Sequence, residues 1–107
     1  MKRRHILFPP ILAKQLIELG TRLQLARLRR RYSAATVAAR AGVTRMTLYK
    51  VEKGDPGVSM GTYANTLRAL GLSADLDLIA RDDELGRKLQ DLELPIRKIA
   101  PPRKGSA

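Results

Sequence analysis

Within Ile11 to Arg31, apolar residues recur at Leu12, Leu16, Leu19, Leu23 and Ala26, with spacings of four, three, four and three. That is one face of a helix. Gly20 interrupts the pattern, and an interior glycine costs about 1 kcal/mol relative to alanine. Ile11 to Leu19 is therefore expected to be a separate or bent segment leading into the helix proper. Ser33 is placed to cap a short helix, Ala34 to Ala41, in which Val37, Ala38 and Ala41 share a face. Gly42 stops it, because glycine tolerates the left-handed conformation that follows a helix end. Thr44 caps a third helix, Arg45 to Lys53, and Gly54-Asp55-Pro56-Gly57 is a loop signal. Ser59 caps a fourth, with Met60, Tyr63, Leu67 and Leu70 on one face and Gly71 at its end.

The period then changes. Asp75-Leu76-Asp77-Leu78-Ile79-Ala80 begins as strict alternation and predicts a short strand with Leu76, Leu78 and Ala80 on one face. A lone strand cannot satisfy its backbone groups, and no second strand is legible, so the same strand of another copy is the economical partner. Arg81 to Leu92 is weakly helical, opened by Asp82, Asp83 and Glu84, which suit the positive end of a helix dipole. The chain thus divides into an N-terminal extension at 1–18, a domain at 19–80 that includes the dimerisation strand 75–80, a helical segment at 81–92, and a basic, proline-rich tail at 93–107 expected to be disordered. The fold class is all-α, with one short C-terminal strand pairing across a homodimer.

Composition narrows the function. The chain has 107 residues, no Cys, no Trp and four aromatic residues, Phe8, Tyr32, Tyr49 and Tyr63. So small a core gains from oligomerisation, and neither a disulfide nor a Cys-ligated metal can support it. The apolar run after Lys2-Arg3-Arg4-His5 is stopped by Pro9-Pro10, too soon for a signal peptide. No stretch is apolar enough to span a membrane, and a cytoplasmic, nucleoid-associated protein is expected. The net charge of +11 points to a polyanion. Its distribution says more: residues 1–58 carry +10, residues 59–94 carry −3 and residues 95–107 carry +4. One half suits a polyanion and the other suits something else.

Two short helices joined by a tight glycine turn, with Ala38 four residues before Gly42, leave the second helix free to enter a major groove while the first lies across the backbone. The stretch Leu19-Gly20-Thr21-Arg22-Leu23, then Leu28-Arg29, Ser33, Val37-Ala38-Ala39-Arg40-Ala41-Gly42-Val43-Thr44-Arg45, Leu48 and Val51-Glu52-Lys53-Gly54 resembles the XRE (Cro/cI-type) helix-turn-helix family. The resemblance covers residues 19–72, half the chain, and implies a lambda-repressor-like fold and double-stranded operator DNA as partner. On a helical wheel Leu48 and Val51 point inward and Arg45, Met46, Tyr49, Lys50 and Lys53 form the outer stripe. The resemblance gives base reading to Arg45, Met46 and Lys50. Arginine and lysine suit guanine and methionine suits a thymine methyl. Thr44 and Thr47 suit phosphate contacts. Where many relatives carry a DNA-contacting Gln, this chain has Ala34, so Ser33 and Arg40 are expected to take more of the backbone positioning. Arg27 and Glu52 stand where relatives form an ion pair between the first helix and the recognition helix, and Arg29-Arg30-Arg31 can clamp phosphate near the helix end.

The segment 70–79 resembles the C-terminal strand of HipB-type antitoxins, a branch of that family. It implies dimerisation through Asp75, Leu76, Asp77, Leu78, Ile79 and Ala80, repression of the protein's own operon, and a HipA-type kinase toxin or another operon-encoded protein as partner. A stand-alone XRE-type regulator and a pure protein inhibitor with a vestigial helix-turn-helix are the rival readings. An enzyme is disfavoured, since His5 is the sole histidine and Asp82-Asp83-Glu84 reads as a helix start. No cofactor or metal is expected. Single-stranded RNA binding lacks an aromatic stacking surface, and lipid binding by the N-terminal arm is less expected than contact of that arm with DNA or a partner.

Overall fold

A computed structural model describes residues 8–92. The basic arm with His5 and the tail at 93–107 lie outside the described residues. The chain forms helices α1 (Pro10–Arg29), α2 (Ala34–Ala41), α3 (Arg45–Glu52) and α4 (Met60–Ala69), a 3-10 helix (Ser73–Leu78) and α5 (Glu84–Asp91). Two compact units result, one ending at Leu76 and the other beginning at Asp77.

The helix starts are those the capping residues predict. Ser33, Thr44 and Ser59 accept hydrogen bonds from the backbone N–H of Thr36, Thr47 and Thr62, at 3.0, 3.1 and 3.1 Å. Helices of eight to ten residues are too short to persist alone, so capping and packing must supply their stability. Their ends share one device. After each of α1 to α4 a left-handed residue reverses the chain, and the next N–H bonds back to a carbonyl in the last turn, as Val43 does to Ala38 at 2.9 Å. Gly42, Gly54 and Gly71 occupy this position with φ of 72, 73 and 78°, but at the end of α1 it is held by Arg31, with φ of 59°. A side chain in that region costs roughly 1–2 kcal/mol.

Leu23, Ala26, Val37, Ala38, Leu48, Val51, Tyr63, Leu67 and Leu70 form the core of the first unit, with Leu19 and Leu76 packed against it. Burying Val37, Leu48 and Val51, each at most 1% exposed, stabilises it by about 2 kcal/mol per side chain. Thr66 is also buried and satisfies its hydroxyl at the Thr62 carbonyl, 2.9 Å away. Met60, expected on the apolar face of α4, is 67% exposed because it occupies the first helical residue, beyond the packed turns.

Two expectations are corrected. α1 runs unbroken through Gly20 instead of bending there. Gly20 is buried, and a Cβ on it would come within 2.6 Å of the Gly54 nitrogen and 2.7 Å of the Val51 and Glu52 carbonyl oxygens. The glycine is there for the approach of α3, not for a bend. A Cβ on Gly54 would in turn collide with the Leu16 carbonyl.

The dimerisation strand at Asp75 to Ala80 is not formed, and no strand occurs among the described residues. Asp75, Leu76, Asp77 and Leu78 lie in the 3-10 helix, Ile79 and Ala80 follow it, and Ala80 is left-handed with φ of 61°. Bonds between near neighbours, Asp75 N–H to Leu72 O at 3.0 Å and Arg81 N–H to Leu78 O at 3.3 Å, satisfy backbone groups that an unpaired strand leaves open. At three residues per turn Leu76 and Leu78 no longer share a face. Leu76 packs on the core, while Leu78 and Ile79 are more than half exposed.

In the second unit Asp83 caps α5 through the Gly86 N–H at 2.9 Å, and Asp82 pairs with Arg87 at 2.7 Å. This acidic trio therefore opens a helix. No described helix is long and apolar enough to cross a membrane.

Gly20→Ala gives a direct test of the α1–α3 approach. Alanine normally favours a helix interior, but here its methyl meets backbone that cannot yield. Destabilisation of about 2 kcal/mol is expected, lowering the thermal midpoint by roughly 10 °C. A midpoint at or above that of the wild type in a calorimetric scan would show the approach to be looser than described.

Candidate nucleic-acid interface

The recognition helix is positioned from its inward side. Leu48 and Val51 enter the core, and Glu52 is buried against α1. There Arg27 grips it with two hydrogen bonds, Nε to Oε2 at 2.7 Å and Nη2 to Oε1 at 3.1 Å, with side chains only 12% and 8% exposed. The hydrogen bond to the carboxylate raises the Arg27 pKa above its ordinary value, against the opposing effect of burial. Arg27 also donates from Nη1 to the Tyr32 carbonyl at 3.2 Å, so one guanidinium joins α1, α3 and the link to α2. Just beyond the same end of α3, the Tyr63 hydroxyl donates to the Asp55 carbonyl at 2.8 Å and holds the loop that follows. Burial, with the nearby Asp55 charge, raises the Tyr63 pKa.

With that side locked, the opposite side carries the side chains the wheel assigned to it. Arg45, Met46, Tyr49, Lys50 and Lys53 are exposed, Met46 by 63% and Tyr49 by 58%. Neither of the latter is taken up in local packing. The Lys53 ammonium lies 5.3 Å from the Tyr49 ring centroid, which ties together two members of the stripe one helical turn apart. Thr44 and Thr47 share a hydroxyl hydrogen bond of 3.1 Å, leaving one hydroxyl proton of the pair for an acceptor outside the protein.

The residues on α2 are placed differently. The Ser33 hydroxyl is engaged twice by Thr36, accepting from its N–H and donating to its Oγ1 at 2.9 Å. The Arg40 guanidinium lies 4.6 Å from the Tyr32 ring centroid, and its carbonyl accepts from Arg68 at 3.0 Å. The structure thus brings Thr44, Arg45, Met46, Thr47, Tyr49, Lys50 and Lys53 together along α3, while Ser33 caps α2 and Arg40 lies in the last turn of that helix against Tyr32.

Two clefts flank α3. One, of about 500 Å³, is lined by Gln24, Arg27, Ala34, Arg45, Met46, Leu48, Tyr49 and Glu52. Ala34 contributes only a methyl group to it. The other, of about 220 Å³, is lined by Thr47, Lys50, Asp55, Gly57, Val58, Ser59 and Thr62. Gln24, Ser59 and Thr62 also lie beside α3, where no motif in the sequence places them. Ser59 reads in the sequence as a cap alone, and Gln24 as one polar residue on the flank of α1. Asp55 brings a carboxylate to this cleft, but it is engaged with the Gly57 N–H at 2.7 Å. The ion pairs among the described residues are Arg27–Glu52 and Arg87–Asp82, so the basic residues of α3 keep their charge for an external anion.

Two short capped helices, close-packed at the buried Ala38 and joined through left-handed Gly42, with the second presenting an unneutralised basic stripe, define a helix-turn-helix of the DNA-binding class. The chain belongs to the helix-turn-helix domain family, whose model matches residues 18–78. No curated protein and no solved structure matches the chain.

Removing the carboxylate that anchors α3 leaves a mostly buried guanidinium uncompensated. Glu52→Ala is expected to destabilise the protein by about 3 kcal/mol, whereas Arg27→Met combined with Glu52→Leu recovers most of that loss. Urea midpoints of the two variants check this. Equal midpoints for Glu52→Ala and the wild type would remove the ion pair from its anchoring role.

Proposed function

We propose that this protein is a transcriptional regulator that binds operator DNA sequence-specifically through α3. The observation that carries the reading is the outward stripe Arg45, Met46, Tyr49, Lys50 and Lys53, set on a helix whose inward face is locked by Leu48, Val51 and the Arg27–Glu52 pair. Arg45 and Lys50 reach base edges in the major groove, Met46 meets a thymine methyl, and Thr44 and Thr47 contact phosphate. Tyr49 and Lys53 border the groove. Ser33, which caps α2, and Arg40, in its last turn, act at the DNA backbone. A homodimer reading two half-sites one helical turn or a multiple apart suits so small a domain. With 75–80 in a 3-10 helix and the residues after it, the dimer forms through contacts other than a strand.

The HipB-type antitoxin reading, with its HipA-type toxin, calls for a strand at 75–80, where this chain has a 3-10 helix and the two residues after it. The reading favoured here is the XRE-type regulator acting without a toxin partner.

The test is a footprint of the full chain on the promoter upstream of its own gene, followed by the Arg45→Ala, Lys50→Ala double variant. A good arginine–guanine contact discriminates by about 1–3 kcal/mol. The double variant is expected to lose at least tenfold in preference for the protected sequence over random duplex. Preserved preference would disprove the assignment of α3 as the reading helix, and co-purification with the product of an adjacent gene would favour the antitoxin reading.

A further inference from the structure

Three of the four helix ends in the first unit put glycine in the left-handed position, and the fourth puts Arg31 there. The clash of its Cβ makes arginine the less stable choice at that φ, and glycine would relieve it. Nothing in the fold accounts for the side chain. Arg31 is exposed and takes part in neither ion pair of the described residues. Its neighbour Arg30, by contrast, folds back to donate to the Ala26 carbonyl at 2.9 Å and helps close α1. A strained residue that the packing does not require points to a role outside the fold.

Its placement indicates what role. Arg31 lies in the short link between α1 and α2, beside Tyr32 and Ser33. The carbonyl of Tyr32 is held by the same Arg27 guanidinium that grips Glu52 of α3. The backbone next to Arg31 is therefore tied to the recognition helix through a single side chain. Arg40 stacks on the ring of Tyr32, and Arg29 is exposed one residue before Arg30. Positive charge thus gathers around this link, with no carboxylate paired to it among the described residues.

We propose that Arg31 is a phosphate-contacting residue, its guanidinium binding the sugar–phosphate backbone of duplex DNA while α3 lies in the adjacent groove. The proposal rests on the DNA-binding reading of α3 and adds to it a clamp at a fixed offset. A phosphate contact carries no base information, so it raises affinity for all duplexes alike and sets the register of the reading helix.

Arg31→Gly separates this role from a structural one, since it removes the charge and relieves the backbone. The full chain is titrated at several salt concentrations against two short duplexes, the sequence protected upstream of its own gene and a random sequence. Arg31→Gly is expected to keep or raise the thermal midpoint while weakening both duplexes by the same factor, about threefold to tenfold. The slope of log affinity against log salt falls by about 0.9, the value for one phosphate. Arg31→Lys, which keeps the charge and the strain, retains the wild-type slope. Wild-type affinity and slope in Arg31→Gly, or a loss confined to one duplex, overturns the proposal. So does a midpoint well below wild type, which assigns Arg31 to the fold. The Arg45→Ala, Lys50→Ala double variant in the same assay distinguishes the two readings. If it keeps its sequence preference, the reading of α3 fails. If it loses that preference while Arg31→Gly behaves as wild type, only the clamp fails.

Discussion

The structure depends on the close approach of α1 to the C-terminal end of α3. Backbone meets backbone there, with Gly20 facing the Val51 and Glu52 carbonyls and Gly54 facing the Leu16 carbonyl, and there is no room for a methyl group on either side. That approach allows Arg27 to reach the Glu52 carboxylate at hydrogen-bonding distance and in a nearly dry setting. A buried pair of this kind adds little stability by itself, but once formed it fixes an orientation, because losing either partner leaves a charge stranded. The rotation of α3 about its own axis is set by this contact and by Leu48 and Val51. The identity of the exposed stripe follows from it.

Around the anchored crossing, the rest of the first unit is built from one repeated device. Each short helix from α2 to α4 begins at a hydroxyl cap, and α1 to α4 each end at a left-handed residue, so their terminal backbone groups are satisfied locally. Short helices with sharp ends can change direction within three or four residues, which is what brings Ala38 of α2 against its neighbours and turns α3 outward. The guanidinium of Arg27 then bonds to Tyr32 as well, extending the rigid frame from the reading helix to the link before α2. Functional side chains carried on such a frame keep a fixed spacing without needing contacts among themselves.

Much of this was legible in the order of residues. Ser33, Thr44 and Ser59 announce helix starts because their side chains bond to their own near backbone, an interaction of three residues' range. Gly42 and Gly71 announce ends for an equally local reason. The inward and outward faces of α3 follow from helical geometry once Leu48 and Val51 are taken as apolar. The errors fall where the deciding atoms are distant in sequence. Gly20 looked like a weakness in a helix because its reason, the carbonyls at 51 and 52, lies more than thirty positions away. The alternation at 75–80 looked like a strand because a period of two over four residues is equally compatible with a tight turn. Here bonds between near neighbours satisfy the backbone of that segment.

The sequence by itself determined the positions of the caps and turns, the helix-turn-helix spacing, the concentration of positive charge in residues 1–58 and the side chains exposed on α3. Each of these is a property of near neighbours or of a helical repeat. Only the tertiary structure decided that α1 is continuous, that Arg40 stacks on Tyr32, that the 75–80 segment winds into a 3-10 helix and that Arg31 holds a conformation suited to glycine. Those outcomes depend on which groups the folded chain brings within reach, and contact between distant positions leaves no period in the sequence.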